Sequence, residues 1–292
     1  MKARLAVILL SIMTLPIFIS SCGNNEKKTK KTPTKQMPTA DSLYAIDEKF
    51  NEAKQIIYSL PSPQEVSYIL FQDNKKITFE QKLLNPLDNE PKYNSDFSKA
   101  LNLGIYTADI SYASIFEQNQ LCINYIATAK KLAEQLGILN YFSDEKIKEL
   151  EDNATNRDEV MRILTETYMQ SDASLQENQQ EDIGALVLIG GWIEGMYIAV
   201  NLTNCNVNDN PELVSSIMEQ QLSLALLVDF LNYYKDNKLL SQVSGDIKEL
   251  DQIFQNAETN INDLGIITVN PNDFKKICKK INEIRTKYIT AS

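Results

Sequence analysis

Histidine is absent from this chain of 292 residues. Its absence excludes an imidazole general base, the serine–histidine and cysteine–histidine nucleophile pairs, and zinc sites that use histidine. An enzyme based on carboxylates or lysine stays compatible with the composition. No motif indicates such an enzyme, and no cysteine spacing is typical of a metal site. We therefore predict no catalytic residues, no metal and no cofactor.

Glycine, proline and positive charge are also scarce. Nine glycines and nine prolines favour long helices over a β-sandwich. The 29 Lys and Arg residues against 39 Asp and Glu residues give a net charge of −10. Residues 1–21 contain two cations, Lys2 and Arg4, and no acid, so their removal brings the charge to −12. A general nucleic-acid binder needs a basic face, so we exclude that class.

The chain begins with a basic stretch and an apolar run from Leu5 to Ile19. This run is short for a membrane-spanning helix and typical of a signal-peptide core. It ends in ISSCG at residues 19–23, which resembles the lipobox of bacterial lipoproteins. The resemblance implies cleavage before Cys22 and attachment of a diacylglycerol and an acyl chain to that cysteine. The alternative is an ordinary secretory signal with a chance cysteine.

Residues 23–40 are polar, contain five lysines and two prolines, and cannot bury enough surface to fold. We predict a signal peptide at 1–21, lipidated Cys22 with a flexible tether at 22–40, and a helical domain at 41–292. An acid-rich run, which resembles the surface-export signal of Bacteroidetes lipoproteins, is missing after Cys22. We therefore expect an envelope protein whose partner is a lipid bilayer, anchored in the outer membrane and facing the periplasm.

The stretch 182–201 is apolar on every side and contains four glycines and the only tryptophan. A helix of this kind lies inside a bundle or a bilayer. Glu194 within it, and the absence of Lys and Arg from 163 to 234, favour the bundle over a membrane span. We predict an all-α fold, one bundle of about eight to ten helices around a buried central helix at 183–201.

Apolar residues at helical spacing predict the other helices, and prolines, glycines and asparagines predict their ends. The predicted helices are 43–60, 62–72, a short piece at 79–84, 97–136 with a break near 118–119, 143–153, 156–181, 211–233, 239–262 and 274–289. Loops are predicted at 85–94 and 201–210, and a short extended piece at 265–269. Gly191, Gly195 and Ala199 share one face of the central helix, which predicts a close helix neighbour.

Two acids occur in apolar helical surroundings, Asp109 and Glu194. A buried carboxylate must find partners or take up a proton. One hypothesis is a ligand or cation pocket between helices; the alternative is a structural hydrogen-bond network. The candidate pocket residues are Asp109, Glu194, Tyr106, Tyr112, Tyr197 and Trp192. Asp229 is a weaker candidate of the same kind.

Three cysteines follow residue 22, so at least one of them has no disulfide partner within the chain. Cys122 lies on an apolar helical face and is predicted to be a core residue. A disulfide between Cys205 and Cys278 is compatible with an oxidising compartment. The last helix is basic, which is typical of a solvated face or of contact with anionic lipid or an acidic partner. Its cations are Lys275, Lys276, Lys279, Lys280, Arg285 and Lys287.

The chain resembles uncharacterised helical lipoproteins of Bacteroidetes. The resemblance rests on the lipobox, on the lysine-rich tether and on a general likeness of residues 97–139 and 183–235. The resemblance implies no catalytic residues. Our leading hypothesis is a lipid-anchored, non-catalytic envelope module that binds a partner protein or a small ligand. One alternative is a hydrolase or lyase that uses Asp109 and Glu194, which requires both carboxylates to face one open cleft. Another is an envelope scaffold that acts through the basic last helix.

Overall fold

The computed structural model describes residues 63–71, 77–138, 144–153, 155–177 and 180–290, which lie in one compact unit. The predicted signal peptide at 1–21, Cys22 with its tether and the predicted helix 43–60 lie outside the described residues. Within the described part of the chain there are ten α-helices and one two-stranded sheet, so the all-α prediction is confirmed.

The helices follow one another with short connections and two 3₁₀ turns, Gln81–Leu83 and Leu87–Lys92. The elements are α1 Pro63–Phe71, α2 Asp96–Ile115, α3 Asn119–Gln135, α4 Asp144–Asp152, α5 Arg157–Glu177, α6 Glu181–Leu202, α7 Pro211–Glu219, α8 Gln221–Tyr233, α9 Ser241–Gln255, β1 Thr259–Ile261, β2 Ile267–Val269 and α10 Pro271–Thr290.

Helix α6 is the central helix, as its sequence predicts. Nearly all its residues from Ile183 to Val200 are buried, because α1, α2, α5, α7 and α10 pack around it. By length and composition alone, α6 and the segment Pro211–Tyr233 are apolar enough to cross a membrane. The apolar window of α6 is 94% buried by its neighbours and that of the second segment is 50% buried.

Helices α2 and α6 make the most extensive contact in the unit. Their backbones touch at two glycines. A Cβ atom added to Gly104 would lie 1.9 Å from the carbonyl oxygen of Val187, and one added to Gly190 would lie 2.0 Å from that of Leu101. Only glycine allows this approach, which places the side chains of α2 directly against those of α6.

Local signals explain most helix ends. Ser95 and Ser98 form a reciprocal cap at the start of α2, and the Asn210 side chain accepts a hydrogen bond from the Leu213 amide at the start of α7. The predicted break between α2 and α3 is confirmed, with Glu117 in a left-handed conformation at φ 55°. Gly137 follows α3 at φ 74°, as a C-terminal glycine does.

Two boundaries predicted from the helical period are wrong. The helix predicted at 211–233 is interrupted at Gln220, which separates α7 from α8. The helix predicted at 239–262 ends at Gln255, because residues 259–261 pair instead with the predicted extended piece. The two strands are antiparallel, with Thr259 opposite Val269, and Gly265 at φ 76° allows the turn between them. The Ser215 hydroxyl of α7 accepts a hydrogen bond from the Ile267 amide.

Candidate functional site: a buried acid–arginine cluster

Three charged residues from three helices meet inside the bundle. Asp109 comes from α2, Glu194 from α6 and Arg285 from α10. The two acids have no exposed surface and Arg285 is 6% exposed. Their meeting follows from the packing of α2 and α10 against the central helix. We call these three residues the acid–arginine cluster.

Glu194 and Arg285 form a two-pronged ion pair. The guanidinium donates from Nε to Oε2 and from Nη2 to Oε1, both at 2.9 Å. Nη2 also donates to the carbonyl oxygen of Leu83 at 3.3 Å, and the guanidinium carbon lies 4.3 Å from the centre of the Tyr197 ring. Burial acts to lower the pKa of Arg285, but the facing carboxylate outweighs it and the pKa lies above its ordinary value. Arg285 is therefore cationic in the fold.

Asp109 differs from Glu194 because no cation among the described residues bonds to it directly. Its Oδ2 accepts a hydrogen bond from the backbone amide of Asn85 at 3.1 Å. Burial, and then the charge of Glu194, raise its pKa well above the ordinary 3.8, although Arg285 and the Asn85 amide act in the opposite direction. Its Oδ1 is buried and has no hydrogen-bond partner among the residues that the structure describes. Full burial beside a second acid favours the protonated form of Asp109.

Asn85 organises the polar groups next to the cluster. Its side-chain amide donates to the Tyr93 hydroxyl at 3.0 Å and to Asn102 Oδ1 at 3.2 Å. Its carbonyl accepts from the Tyr125 hydroxyl at 2.8 Å. The Asn102 amide then donates to the carbonyl oxygen of Tyr288 at 3.1 Å. This network fixes the 3₁₀ segment and the end of α10 to α2 and α3.

The other predicted pocket residues take separate roles. Tyr197 lies against the Arg285 guanidinium, and Tyr106 donates its hydroxyl proton to the carbonyl oxygen of Pro86 at 3.1 Å. The Tyr112 hydroxyl accepts from the Glu80 amide at 3.0 Å, and burial raises its pKa to about 12. Trp192 is buried, and its Nε1 has no hydrogen-bond acceptor among the residues that the structure describes. Exposed Asp229 lies on α8, outside the cluster.

Sequence reasoning missed Arg285 and Asn85. Arg285 was placed with the solvated lysines of the last helix, which is wrong, because it is buried and paired with Glu194. A signal was present: Arg285 lies four residues after Ile281 and three before Tyr288, within the apolar stripe of α10. Asn85 belongs to a predicted loop, and nothing in the local sequence indicates its partners.

The lysines of α10 are on its outer side, and several pair with acids. Lys280 contacts Glu249 at 2.5 Å, and Lys287 contacts Asp246 at 2.6 Å. These pairs join α10 to α9. Exposed ion pairs of this kind contribute little to stability, about 0–1 kcal/mol each.

Two cavities are described, and neither contains the acid–arginine cluster. The larger, of about 730 Å³, runs beside α10; we call it the α10 groove. Its lining residues are Cys205, Lys275, Cys278, Lys279, Asn282, Glu283, Thr286, Lys287 and Thr290. The smaller, of about 310 Å³, is lined by Tyr68, Asp158, Met161, Arg162, Thr165 and Glu166. In the described ranges no three Cys, Asp or Glu residues are placed to hold a metal ion.

Comparison with known proteins finds no relative of this chain. No protein family, no curated protein and no solved structure matches the chain.

Proposed function

We propose that this chain is a lipid-anchored, non-catalytic helical module of the bacterial cell envelope that binds a partner protein or a small ligand. The observation that carries the proposal is the burial of the two internal acids, Asp109 and Glu194. Both are fully buried, and both oxygens of Glu194 accept bonds from Arg285. A catalytic carboxylate must reach its substrate, so this burial counts against the alternative of a hydrolase or lyase.

The α10 groove supports the small-ligand form of the proposal. Its volume of about 730 Å³ lies within the range of about 300–1,000 Å³ that is usual for small-molecule sites. Three lysines on its walls, Lys275, Lys279 and Lys287, favour a ligand with negative charge. Two of them already contact acids, since Lys279 lies 3.8 Å from Glu283 and Lys287 lies 2.6 Å from Asp246.

The β1–β2 hairpin supports the partner-protein form. Ile261 and Leu264 are 72% and 82% exposed at its end, and all of β1 is exposed. Large apolar side chains at a strand edge are typical of surfaces that a partner covers. The hairpin is therefore the first surface to test for a protein partner.

The lipid anchor is tested by replacing the sulfur atom of Cys22 with oxygen. We expect Cys22→Ser to abolish labelling of the protein by an alkyne-tagged fatty acid and to release it from the membrane fraction. Cys122→Ser, which changes a buried core cysteine, is the control and should keep the label. Equal labelling of the Cys22→Ser and unchanged proteins would remove the anchor from the proposal.

The binding role is tested by cross-linking in intact cells, followed by purification and mass spectrometry. A protein partner at the hairpin should be lost with the double substitution Ile261→Asp and Leu264→Asp, and kept with Asn260→Asp in the same hairpin. A small ligand should appear as a bound mass in native spectra and be lost with Lys279→Glu. If neither a partner nor a bound mass is recovered, the proposal is wrong.

The enzyme alternative is separated from binding by one substitution. If Asp109 were catalytic, Asp109→Asn would abolish turnover of the substrate. In our proposal the same variant folds and keeps the cross-linked partner or the bound mass. Turnover that disappears with Asp109→Asn, in a protein with an unchanged circular dichroism spectrum, would favour the enzyme.

A further inference from the structure

Two cysteines from distant parts of the sequence meet at the inner wall of the α10 groove. Cys205 follows the end of α6, and Cys278 lies in the second turn of α10. Both line the groove, and each thiol shifts the pKa of the other, so the two side chains are neighbours. Cys205 is half-buried, whereas Cys278 is buried. The Cys205 thiol is thus the more accessible of the two, and Cys278 is buried in the groove wall.

The backbone holds Cys205 in this position. Asn204 and Cys205 are both left-handed, at φ 50° and 52°, which is uncommon for residues other than glycine. The turn is closed by two hydrogen bonds: the Asn204 amide donates to the Asn201 carbonyl at 2.9 Å, and the Cys205 amide donates to the Val200 carbonyl at 3.2 Å. The turn also lets the Cys205 thiol donate to the Val200 carbonyl oxygen at 3.8 Å, which holds the sulfur at the groove wall.

The two thiols differ in reactivity. The neighbouring Cys278 thiol lowers the pKa of Cys205, whereas the Cys205 thiol, together with burial, raises the pKa of Cys278. The thiolate is the attacking form of cysteine, so Cys205 reacts first. Lys275 and Lys279 line the same groove and favour an anion there.

We propose that Cys205 and Cys278 are a redox modification site that forms a reversible disulfide inside the chain. The oxidant is another disulfide, of a small thiol or of an oxidising protein. The Cys205 thiolate attacks one sulfur of that disulfide, forms a mixed disulfide and releases the first thiolate. Cys278 then loses its proton and attacks Cys205 Sγ, which forms the internal bond and releases the second thiolate. The chain loses two protons and two electrons, and the oxidant gains them.

The bond would close a long loop. It joins the end of α6 to α10 across α7, α8, α9 and the hairpin. Cross-links stabilise more when the loop they close in the unfolded chain is long. For a loop of this length and a domain of this size, we expect the thermal midpoint to rise on the order of 5–10 °C. This inference does not depend on which ligand or partner the module binds.

The test uses the full chain, with oxidised glutathione as the probe. After incubation and digestion without reductant, mass spectrometry should recover a peptide that joins Cys205 to Cys278, and dithiothreitol should remove it. The thermal midpoint should rise on oxidation and fall back on reduction. Cys122→Ser is the matched control and should keep both effects.

Two variants test the order of the steps. Cys278→Ser should accumulate glutathione on Cys205, because the second attack is lost, whereas Cys205→Ser should bind none at Cys278. Far-ultraviolet circular dichroism checks that each variant folds, and the linked peptide from the unchanged chain tests the proposal without any variant. A chain that keeps both thiols free, that holds glutathione at Cys205 without forming the internal bond, or that links either cysteine to Cys122 would overturn it.

Discussion

Two features of its surroundings, burial and a neighbouring acid, favour the protonated form of the Asp109 carboxyl group. It is fully buried, and the neighbouring acid, Glu194, is paired with Arg285. A charged Asp109 would place a second anion in a medium of low dielectric. Protonation of Asp109 removes that repulsion. The acid–arginine cluster thus carries no net charge.

This assignment predicts how stability depends on pH. The pKa of Asp109 is higher in the folded chain than its ordinary 3.8, so unfolding releases a proton above that pH. The free energy of unfolding therefore falls as pH rises toward the folded pKa, by up to about 1.4 kcal/mol per pH unit. Asp109→Asn keeps a neutral donor but has no proton to release.

We expect Asp109→Asn to gain stability over the unchanged chain as pH rises from 4.5 to 7.5, measured by urea unfolding. The exposed acid Asp152 provides a control, since Asp152→Asn should follow the unchanged chain at every pH. Parallel curves for Asp109→Asn and the unchanged chain would show that Asp109 is ionised in the fold.

Arg285 and Glu194 depend on each other. Removing one partner of a buried ion pair leaves the other charge without compensation, at a cost of about 3–5 kcal/mol. We expect Glu194→Gln and Arg285→Met each to lose stability on that scale. The double variant should lose less than the sum of the two, because no unpaired charge is left. Additive losses in urea unfolding would contradict a direct pairing.

At the scale of elements, the contact between α2 and α6 determines where the cluster can form. The backbone contacts at Gly104 and Gly190 bring the two helices close enough for Asp109 and Glu194 to be buried in one cluster. A side chain at either glycine would meet a backbone carbonyl, which cannot rotate away. The two helices would have to separate.

We therefore expect Gly104→Ala and Gly190→Ala to destabilise the fold by more than about 2 kcal/mol, the scale of overpacking and lost contacts. Gly245 lies on the exposed side of α9 with open space around it. Gly245→Ala is the matched control and should stabilise the chain by about 0.5–1 kcal/mol, because alanine favours helix. Thermal and urea unfolding of the three variants measure both effects. Similar behaviour of all three would show that α2 and α6 are not in backbone contact.

The whole unit is closed by α10. Arg285 completes the acid–arginine cluster, Tyr93 donates to the carbonyl oxygen of Ile289, and Asn102 donates to that of Tyr288. The same helix buries an apolar stripe against α6, α9 and α2. Its members include Phe274, Ile277, Ile281, Ile284 and Tyr288.

Ending the chain after Asn270 should therefore abolish cooperative folding. It removes the apolar stripe and leaves Asp109 and Glu194 without the cation that lies between α6 and α10. We expect loss of the near-ultraviolet signal of Trp192 and of a sharp thermal transition. Replacing the exposed Lys275 and Lys279 with Gln in the intact helix is the control and should change neither. A shortened chain that unfolds sharply would show that α10 is an addition to a complete fold.

How far the sequence predicts these features depends on whether their cause is local. Glu194 and Asp109 are identifiable because each is a charge within an apolar helix. Arg285 can be identified as a buried residue only when the apolar stripe of α10 is given more weight than its many lysines. The partners of Asn85 depend on how a loop crosses the bundle, which no local pattern encodes. Of the hairpin, the sequence predicts an extended piece at 265–269 but not β1, because strand pairing overrides the helical period at 259–261.

The order in which the ribosome makes the chain gives the acid–arginine cluster a further meaning. Glu194 and Arg285 are 91 positions apart, so both acids emerge from the exit tunnel well before their cation. Until then, closure of the nascent bundle would trap an unmatched carboxylate in a dry interior. The growing polypeptide is thereby discouraged from compacting early, and a chain that stays open can still be engaged by chaperones or threaded through a channel.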